Sequence, residues 1–129
     1  MFTISFPNAK ISRSFRRPCT RIWELLTDTT TWPQWGASVT AVDCDSRFIR
    51  QGTEGRVKTA VGIWLPFSIT EYQEGQFWSW KVAGIPATGH RVETQEDGLC
   101  KVTFEVPLLA VPYTYICNIA LDRIARILE

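Results

Sequence analysis

The chain has 129 residues, of which 45% are hydrophobic and 21% charged, with 14 Lys and Arg against 13 Asp and Glu. This length predicts a single domain, residues 1–129, that buries enough surface to fold without disulfides or a metal. The balanced charge argues against a nucleic-acid partner, the apolar runs are too short for a membrane span, and six Trp call for an explanation.

The N-terminal part of the chain predicts extended structure followed by two short helices. Phe2, Ile4 and Phe6 alternate with other residues, which is typical of a strand, and a break is expected near Pro7. An apolar face at helical spacing follows Pro18 and predicts the first helix; it consists of Ile22, Trp23, Leu25 and Leu26. Thr31 is placed to cap a second short helix that has Pro33 in its first turn.

From Ser38 onward the apolar residues recur at every second position, which predicts consecutive strands. The strand-like runs cover residues 39–45, 55–61, 63–72, 77–83, 88–94 and 99–106. Glu74-Gly75 and Asp97-Gly98 are tight-turn signals, and Gly84-Ile85-Pro86 predicts a looser connection. Strands joined in this way form an antiparallel meander.

The last segment predicts one amphipathic helix that opens at Pro112. Its apolar residues recur at steps of three and four: Tyr113, Ile116, Cys117, Ala120, Ile124 and Ile127. Such a helix and a sheet with one apolar face must cover each other. The predicted fold class is therefore α+β, with the helix lying across a strongly bent antiparallel sheet of about seven strands.

The alternation also predicts which side chains face the helix. Trp78 and Trp80 share the apolar parity of the run 77–83, and the inward set of the run 99–106 is Cys100, Val102, Phe104 and Val106. In the run 88–94, Arg91 and Glu93 belong in water, and the opposite parity comprises Thr88, His90, Val92 and Thr94. The single histidine of the chain is therefore predicted on the core face.

The run 63–72 is ambiguous because both of its faces carry large apolar side chains. We place the aliphatic parity inward, namely Ile63, Leu65, Phe67 and Ile69, with Trp64 and Tyr72 on the other face. Continued by two residues, this parity puts Glu71 inside or at the sheet edge. A buried carboxylate there would need a partner or have a raised pKa.

The four cysteines, Cys19, Cys44, Cys100 and Cys117, form no C-x-x-C pair, so no zinc site or redox dithiol is indicated. They are expected to be buried free thiols of a reducing compartment.

The first residues lack the pattern of a signal peptide, so a cytoplasmic location is predicted. We expect no cofactor and no bound metal.

Several of these residues together resemble a known superfamily. Trp23-Glu24-Leu25-Leu26-Thr27-Asp28, followed by Trp32-Pro33-Gln34-Trp35, is similar to the W-x-L-L-T-D-x-x-x-W-P-x-W opening of SRPBCC proteins, which include START-like and polyketide cyclase/dehydrase-like members. Further matches are Gly52-x-x-Gly55, Trp64-x-Pro66-Phe67 and Trp78-Ser79-Trp80. The resemblance implies a helix-grip fold of order β-α-α-β6-α, with a cavity between sheet and last helix that holds hydrophobic or aromatic ligands. The two Trp of W-P-x-W are expected to wedge the short helices against the sheet.

The first functional hypothesis is a binding module for a small hydrophobic or aromatic molecule, such as a lipid or a polyketide. Aromatic rings with a few polar groups are the usual lining of such sites. The candidate ligand-binding residues are Trp64, Trp78, Trp80, His90, Phe104, Tyr113 and Cys117. The run Leu108-Leu109-Ala110 is a candidate lid.

Two alternatives remain open at this point. A cyclase or dehydratase would need a group that titrates near neutrality, and His90 is the candidate general acid/base, with Glu71, Tyr72 or Tyr113 as its partner. A protein-interaction or stress-related regulatory module is the other alternative. The expected partners are a small apolar molecule and no nucleic acid, and the expected state is a monomer or a weak homodimer.

Overall fold

The computed structural model describes residues 2–5, 8–107 and 114–129, and the side chains of residues 9–107 and 117–129. Within these ranges the elements follow in chain order: β1 (Phe2–Ser5), β2 (Asn8–Phe15), α1 (Cys19–Thr27), α2 (Trp32–Trp35), β3 (Val39–Asp43), β4 (Glu54–Thr59), β5 (Trp64–Gln73), β6 (Phe77–Val82), β7 (Ile85–Thr94), β8 (Cys100–Pro107) and α3 (Thr114–Leu128).

The strands form one antiparallel sheet in the order β1-β2-β8-β7-β6-β5-β4-β3. All connections from β3 to β8 join neighbours, which confirms the predicted meander, and α3 packs on β2 and α2. The α+β helix-grip architecture is therefore confirmed. The described residues hold one strand more than predicted, because the N-terminal extended segment is two paired strands, β1 and β2.

The last helix turns its predicted face toward the core. Cys117, Ala120 and Ile124 are buried, whereas Asn118 and Asp122 are exposed. Hydrophobic burial against the sheet therefore holds α3 in place, since each such side chain contributes roughly 1–3 kcal/mol on leaving water.

A buried carboxylate joins the two short helices to the long β3–β4 connection. Asp28 accepts hydrogen bonds from the Thr30 hydroxyl at 2.6 Å and from the Arg47 guanidinium at 3.1 and 3.2 Å. Burial alone would raise the pKa of Asp28, but these donors outweigh it and hold the pKa below its usual value. Thr31 precedes α2 as predicted, yet its hydroxyl donates back to the carbonyls of Leu25 and Asp28 instead of capping the helix.

The expectation of four free thiols is wrong for two of them. Cys19 and Cys100 form a disulfide with a Cα–Cα distance of 5.2 Å across 81 residues of sequence. The fold brings them together because Cys19 begins α1 directly above the start of β8, where Cys100 has the inward parity. Cys44 and Cys117 are free, so the cysteines no longer indicate a reducing compartment.

Parity is regular in β6 and β8 and irregular in β5. The pairing of β5 with β6 shifts register between Ile69 and Glu71, which marks a β-bulge. Ile69 is buried, but beyond the bulge Glu71 is exposed on the outer face, where Ser79 donates to it at 3.1 Å, and Tyr72 packs against the core. The predictions that Glu71 lies inward and Tyr72 outward are therefore wrong. The inward placement of Ile63 is wrong as well, because Ile63 lies in the turn before β5 with 56% of its surface exposed.

Two smaller departures have local causes. Thr94 is exposed because it ends β7 at the rim of the sheet, although it has the parity of buried Val92. Thr103 has the outer parity but is buried, since neighbouring strands cover it and its hydroxyl bonds that of Ser12 at 2.9 Å. None of the helices in the described ranges is long and apolar enough to cross a bilayer.

Candidate functional site

The inner face of the sheet bears a cavity with two chambers, and only the inner chamber has helix residues among its described lining. The outer chamber has a volume of about 460 Å³ and the inner one about 40 Å³. Four residues line both of them: Ser38, Val39, Trp80 and Thr88. The two chambers therefore meet at the middle of the sheet, beside the first residue of β3.

The outer chamber is lined mainly by apolar side chains of β4 to β8. Its remaining wall comprises Val57, Thr59, Ala60, Val61, Leu65, Val82, Ile85, Pro86, Ala87, Val106 and Pro107. Its exposed lining residues are Ala60 and Val61 in the β4–β5 turn (residues 60–63) and Ile85 and Pro86 after the β6–β7 turn (Ala83 and Gly84), and we call this exposed rim the mouth. A volume of this size suits a small organic molecule, since ligand pockets typically measure about 300–1,000 Å³.

The inner chamber is the gap left in a stack of aromatic rings. Trp32 stacks on Trp78 with ring centroids 5.4 Å apart, and Trp78 stacks on His90 at 3.9 Å. Phe104 meets the His90 ring edge-on at 4.9 Å. These rings are buried, and the predicted wedging role of the W-P-x-W motif is confirmed: Trp32 and Trp35 are both buried, and the Trp32 indole donates to the Leu26 carbonyl at 3.0 Å.

The polar groups at the junction of the chambers form one directed chain of hydrogen bonds. His90 Nδ1 lies 3.3 Å from the Trp78 carbonyl, which can only accept, so Nδ1 carries the proton. His90 Nε2 is then an acceptor, and the Thr88 hydroxyl donates to it at 3.0 Å. The same hydroxyl accepts from the Trp80 indole N–H at 3.0 Å. Both nitrogens of His90 are therefore occupied within the protein.

His90 is a neutral imidazole at physiological pH. Burial lowers its pKa to about 3, and the hydrogen bond to the Trp78 carbonyl only partly opposes that effect. Burial disfavours the charged form because the apolar surroundings cannot solvate an imidazolium ion. A side chain of this kind does not titrate near neutrality, which the general acid/base hypothesis requires.

Two indole N–H groups at the inner chamber have no partner among the described residues. They belong to Trp35 and Trp78, whose rings line that chamber. An unpaired buried donor costs roughly 1–3 kcal/mol, so such groups are rare in cores. Both nitrogens are closed to contact with a water-sized molecule, so an acceptor in the chamber would reach them only after a ring turns.

The structure brings together five of the seven predicted ligand-binding residues. Trp78, Trp80, His90, Phe104 and Cys117 all line the inner chamber. Burial raises the pKa of the Cys117 thiol to about 12, so it is an uncharged wall group. Trp64 does not join them, because it lies on the outer face with 39% of its surface exposed and the Arg56 guanidinium 5.2 Å from its ring. Tyr113 and the candidate lid Leu108-Leu109-Ala110 lie outside the described residues.

The proposed catalytic partners of His90 are not assembled around it. The Tyr72 hydroxyl donates to Glu74 in the β5–β6 turn, and burial together with that carboxylate raises the pKa of Tyr72 to about 12. Glu71 is on the outer face. Within the described ranges, no group of three metal-ligating side chains comes together either.

Sequence reasoning missed the aliphatic wall of the outer chamber. Leu65, Val82 and Val106 were predicted to face inward, but nothing in their alternation separates a cavity wall from a packed core. Val61 and Ile85 could have been found as apolar residues in turns, where polar residues are usual.

A family model described as polyketide cyclase / dehydrase and lipid transport matches residues 8–112. Protein Ms6760 from Mycobacterium smegmatis superposes with a TM-score of 0.71 at 16% identity, covering 100% of this chain and 96% of its own. Protein NE0264 from Nitrosomonas europaea gives 0.70 at 14% identity, with 97% and 96% covered. DynU16, from the dynemicin biosynthetic locus, gives 0.65 at 17% identity, with 97% of this chain and 48% of its own covered. At these identities the likeness establishes the fold, and no curated protein matches the chain.

Proposed function

This chain belongs to the polyketide cyclase / dehydrase and lipid transport family, and we propose that it binds one small, neutral, mostly apolar molecule in the two-chambered cavity. The observation that carries the proposal is the outer chamber of about 460 Å³ beside an otherwise packed core. A concavity of this size with a mainly apolar lining is the usual form of a small-molecule site.

The lining supports a neutral ligand. Neither chamber has an Asp, Glu, Lys or Arg among its described lining residues. A charged ligand would lose its hydration in this cavity without gaining a counter-ion, at a cost of several kcal/mol. The apolar body of the ligand therefore fills the outer chamber.

The inner chamber supports a hydrogen-bond acceptor on the deep end of the ligand. Trp35 and Trp78 each have a buried indole N–H without a partner among the described residues, and we infer that a ring turns on binding to donate to a carbonyl or ether oxygen of the ligand. The space of about 40 Å³ admits a group of a few atoms but not a ring system. The ligand we propose is thus an apolar molecule with a small acceptor group at one end.

Binding without turnover by His90 is the function that the geometry favours. His90 donates from Nδ1 to the Trp78 carbonyl and accepts at Nε2 from the Thr88 hydroxyl, so it has no free lone pair for a substrate proton. Acid/base catalysis by this residue would first require breaking two buried hydrogen bonds.

Native mass spectrometry of the protein purified from its source tests the proposal. We expect a complex heavier than the chain by one small organic molecule, which denaturation releases as a neutral compound with an oxygen acceptor. Recovery of the bare chain alone, together with no binding of the neutral fluorophore N-phenyl-1-naphthylamine, would refute ligand binding.

A pair of variants tests the acceptor end. Trp35→Phe keeps a ring but removes one unpaired donor, and we expect the affinity for the recovered ligand to fall about fivefold, the value of one hydrogen bond. Trp23→Phe is the matched control, because its indole donates to Glu74 far from the cavity. Equal affinities of the two variants would remove the inner chamber from the site.

A further inference from the structure

Three large aliphatic side chains project into solvent around the mouth. Val61 is 80% exposed, Ile63 56% and Ile85 67%; the first two lie in the β4–β5 turn, and Ile85 begins β7 directly after the β6–β7 turn. Isolated exposed apolar residues are ordinary, but a group at one end of a molecule usually marks an interaction surface. We call these three residues the mouth tips.

The turns that carry the mouth tips are held in shape by their own hydrogen bonds. The Thr59 amide donates to the Ile63 carbonyl at 2.8 Å, and the Gly62 amide donates to the Thr59 carbonyl at 2.9 Å. In the other turn, Ala83 and Gly84 both have positive φ, 53° and 76°, as a two-residue hairpin turn of this type requires. The backbone of both turns is therefore fixed beside the mouth tips.

Cations surround the mouth tips. Lys58 of β4 pairs with Trp64 of β5, and Lys81 of β6 pairs with Pro86 of β7. Both lysines are therefore at the same end of the sheet, and both have the parity of its outer face. Neither segment, 58–64 or 81–87, contains an Asp or Glu. Nearby Trp64 is half-exposed beside Arg56, and Trp with basic residues is the combination found at the level of lipid headgroups.

We propose that the mouth end of the molecule docks on an anionic lipid surface. The mouth tips insert between the headgroups, while the ammonium groups of Lys58 and Lys81 lie against the phosphates. A lipid surface fits better than a protein partner, because the tips are purely aliphatic, Lys58 and Lys81 are the only charged residues of segments 58–64 and 81–87, and the exposed rim of the apolar chamber lies at the same end. Arg56 contributes no free charge there, since it is paired with Asp43 at 2.7 Å. A ligand could then pass between bilayer and cavity without crossing water. The inference goes beyond ligand binding and does not depend on it.

Co-sedimentation with vesicles tests this docking. One set of vesicles is phosphatidylcholine alone, and the other is an equimolar mixture of phosphatidylcholine and phosphatidylglycerol. We expect the folded protein to bind the anionic vesicles and to release as salt is added. The double variant Lys58→Gln/Lys81→Gln should weaken that binding about thirtyfold, and Ile63→Ser should weaken it about tenfold.

Matched controls at the opposite end of β3 and β4 are Phe48→Ser and Arg50→Gln, which remove an exposed apolar group and a cation there. Both should bind vesicles as the wild type does. Equal binding by all variants, or no binding to anionic vesicles, would overturn the proposal. So would a dimer in solution that Ile63→Ser dissociates in the absence of vesicle binding, since the tips would then be a protein interface.

Failure of docking and failure of ligand binding are separable. Ile63, Lys58 and Lys81 do not line either chamber, so their variants should still bind N-phenyl-1-naphthylamine. Loss of vesicle binding with retained fluorophore binding supports docking as a separate property of the mouth end. Loss of both together would show that these variants disturb the fold and that the surface assignment is wrong.

Discussion

Where β8 begins, the Cys19–Cys100 disulfide joins α1 to the sheet, and Arg17 donates to the Leu128 carbonyl at the end of α3. Where β8 finishes, the sheet instead surrounds an open apolar chamber with Val61 and Ile85 exposed at its rim. We call the first region the closed end. Because covalent and buried contacts concentrate at the closed end, the mouth can stay open without loss of the fold.

The largest expected effect is on the closed end. The Cys19–Cys100 bond closes a loop of 81 residues, and removing such a constraint from the unfolded chain costs about 4 kcal/mol in the loop-entropy account. The double variant Cys19→Ser/Cys100→Ser should lower the free energy of urea unfolding by about that amount. The double variant Cys44→Ser/Cys117→Ser is the control with both remaining thiols removed. If the first variant is as stable as the control, the closed end does not carry the stability we assign to it.

The next largest expected effect concerns the protonation of His90, which lines the inner chamber. Because burial lowers the pKa of His90 to about 3, the unfolded chain binds a proton below pH 6.5 that the folded chain does not. The free energy of unfolding therefore has its full value above pH 6.5 and decreases as the pH falls below 6.5, because the unfolded chain takes up a proton on His90. We expect the free energy of unfolding to be about 2 kcal/mol lower at pH 5 than at pH 8.

The chain has one histidine, so His90→Gln should remove most of this pH dependence. Urea titrations of both proteins at pH 5 and pH 8 measure the difference. Parallel pH profiles for wild type and variant would mean that His90 is accessible to protons in the folded state.

The same division explains what the sequence could predict. Strict alternation in β6 and β8 identified Trp78, Trp80 and Phe104 as inward-facing, because the pleat of an unbroken strand leaves no other choice. The bulge after Ile69 inverted the parity of Glu71 and Tyr72, and a bulge in β5 depends on its partner strand rather than on its own residues.

Other features of the site depend on distances that no local pattern encodes. The disulfide joins residues 81 positions apart, and their separation carries no pairing signal. Leu65 and Val82 line the outer chamber, but their alternation would be the same in a filled core. The hydrogen-bond chain through Thr88 required the register of β6 and β7 to be known.

The most direct test of the account compares one large residue placed inside and outside the outer chamber. Val82→Trp fills the chamber from β6, whereas Lys81→Trp adds the same ring at the next residue on the outer face. Titration with N-phenyl-1-naphthylamine, followed by its fluorescence, measures binding in each. We predict that Val82→Trp loses binding at least about tenfold, the value of roughly 1.4 kcal/mol, while Lys81→Trp binds as the wild type does. Unchanged binding by a folded Val82→Trp protein would contradict the account, because the ligand would then lie outside the chamber.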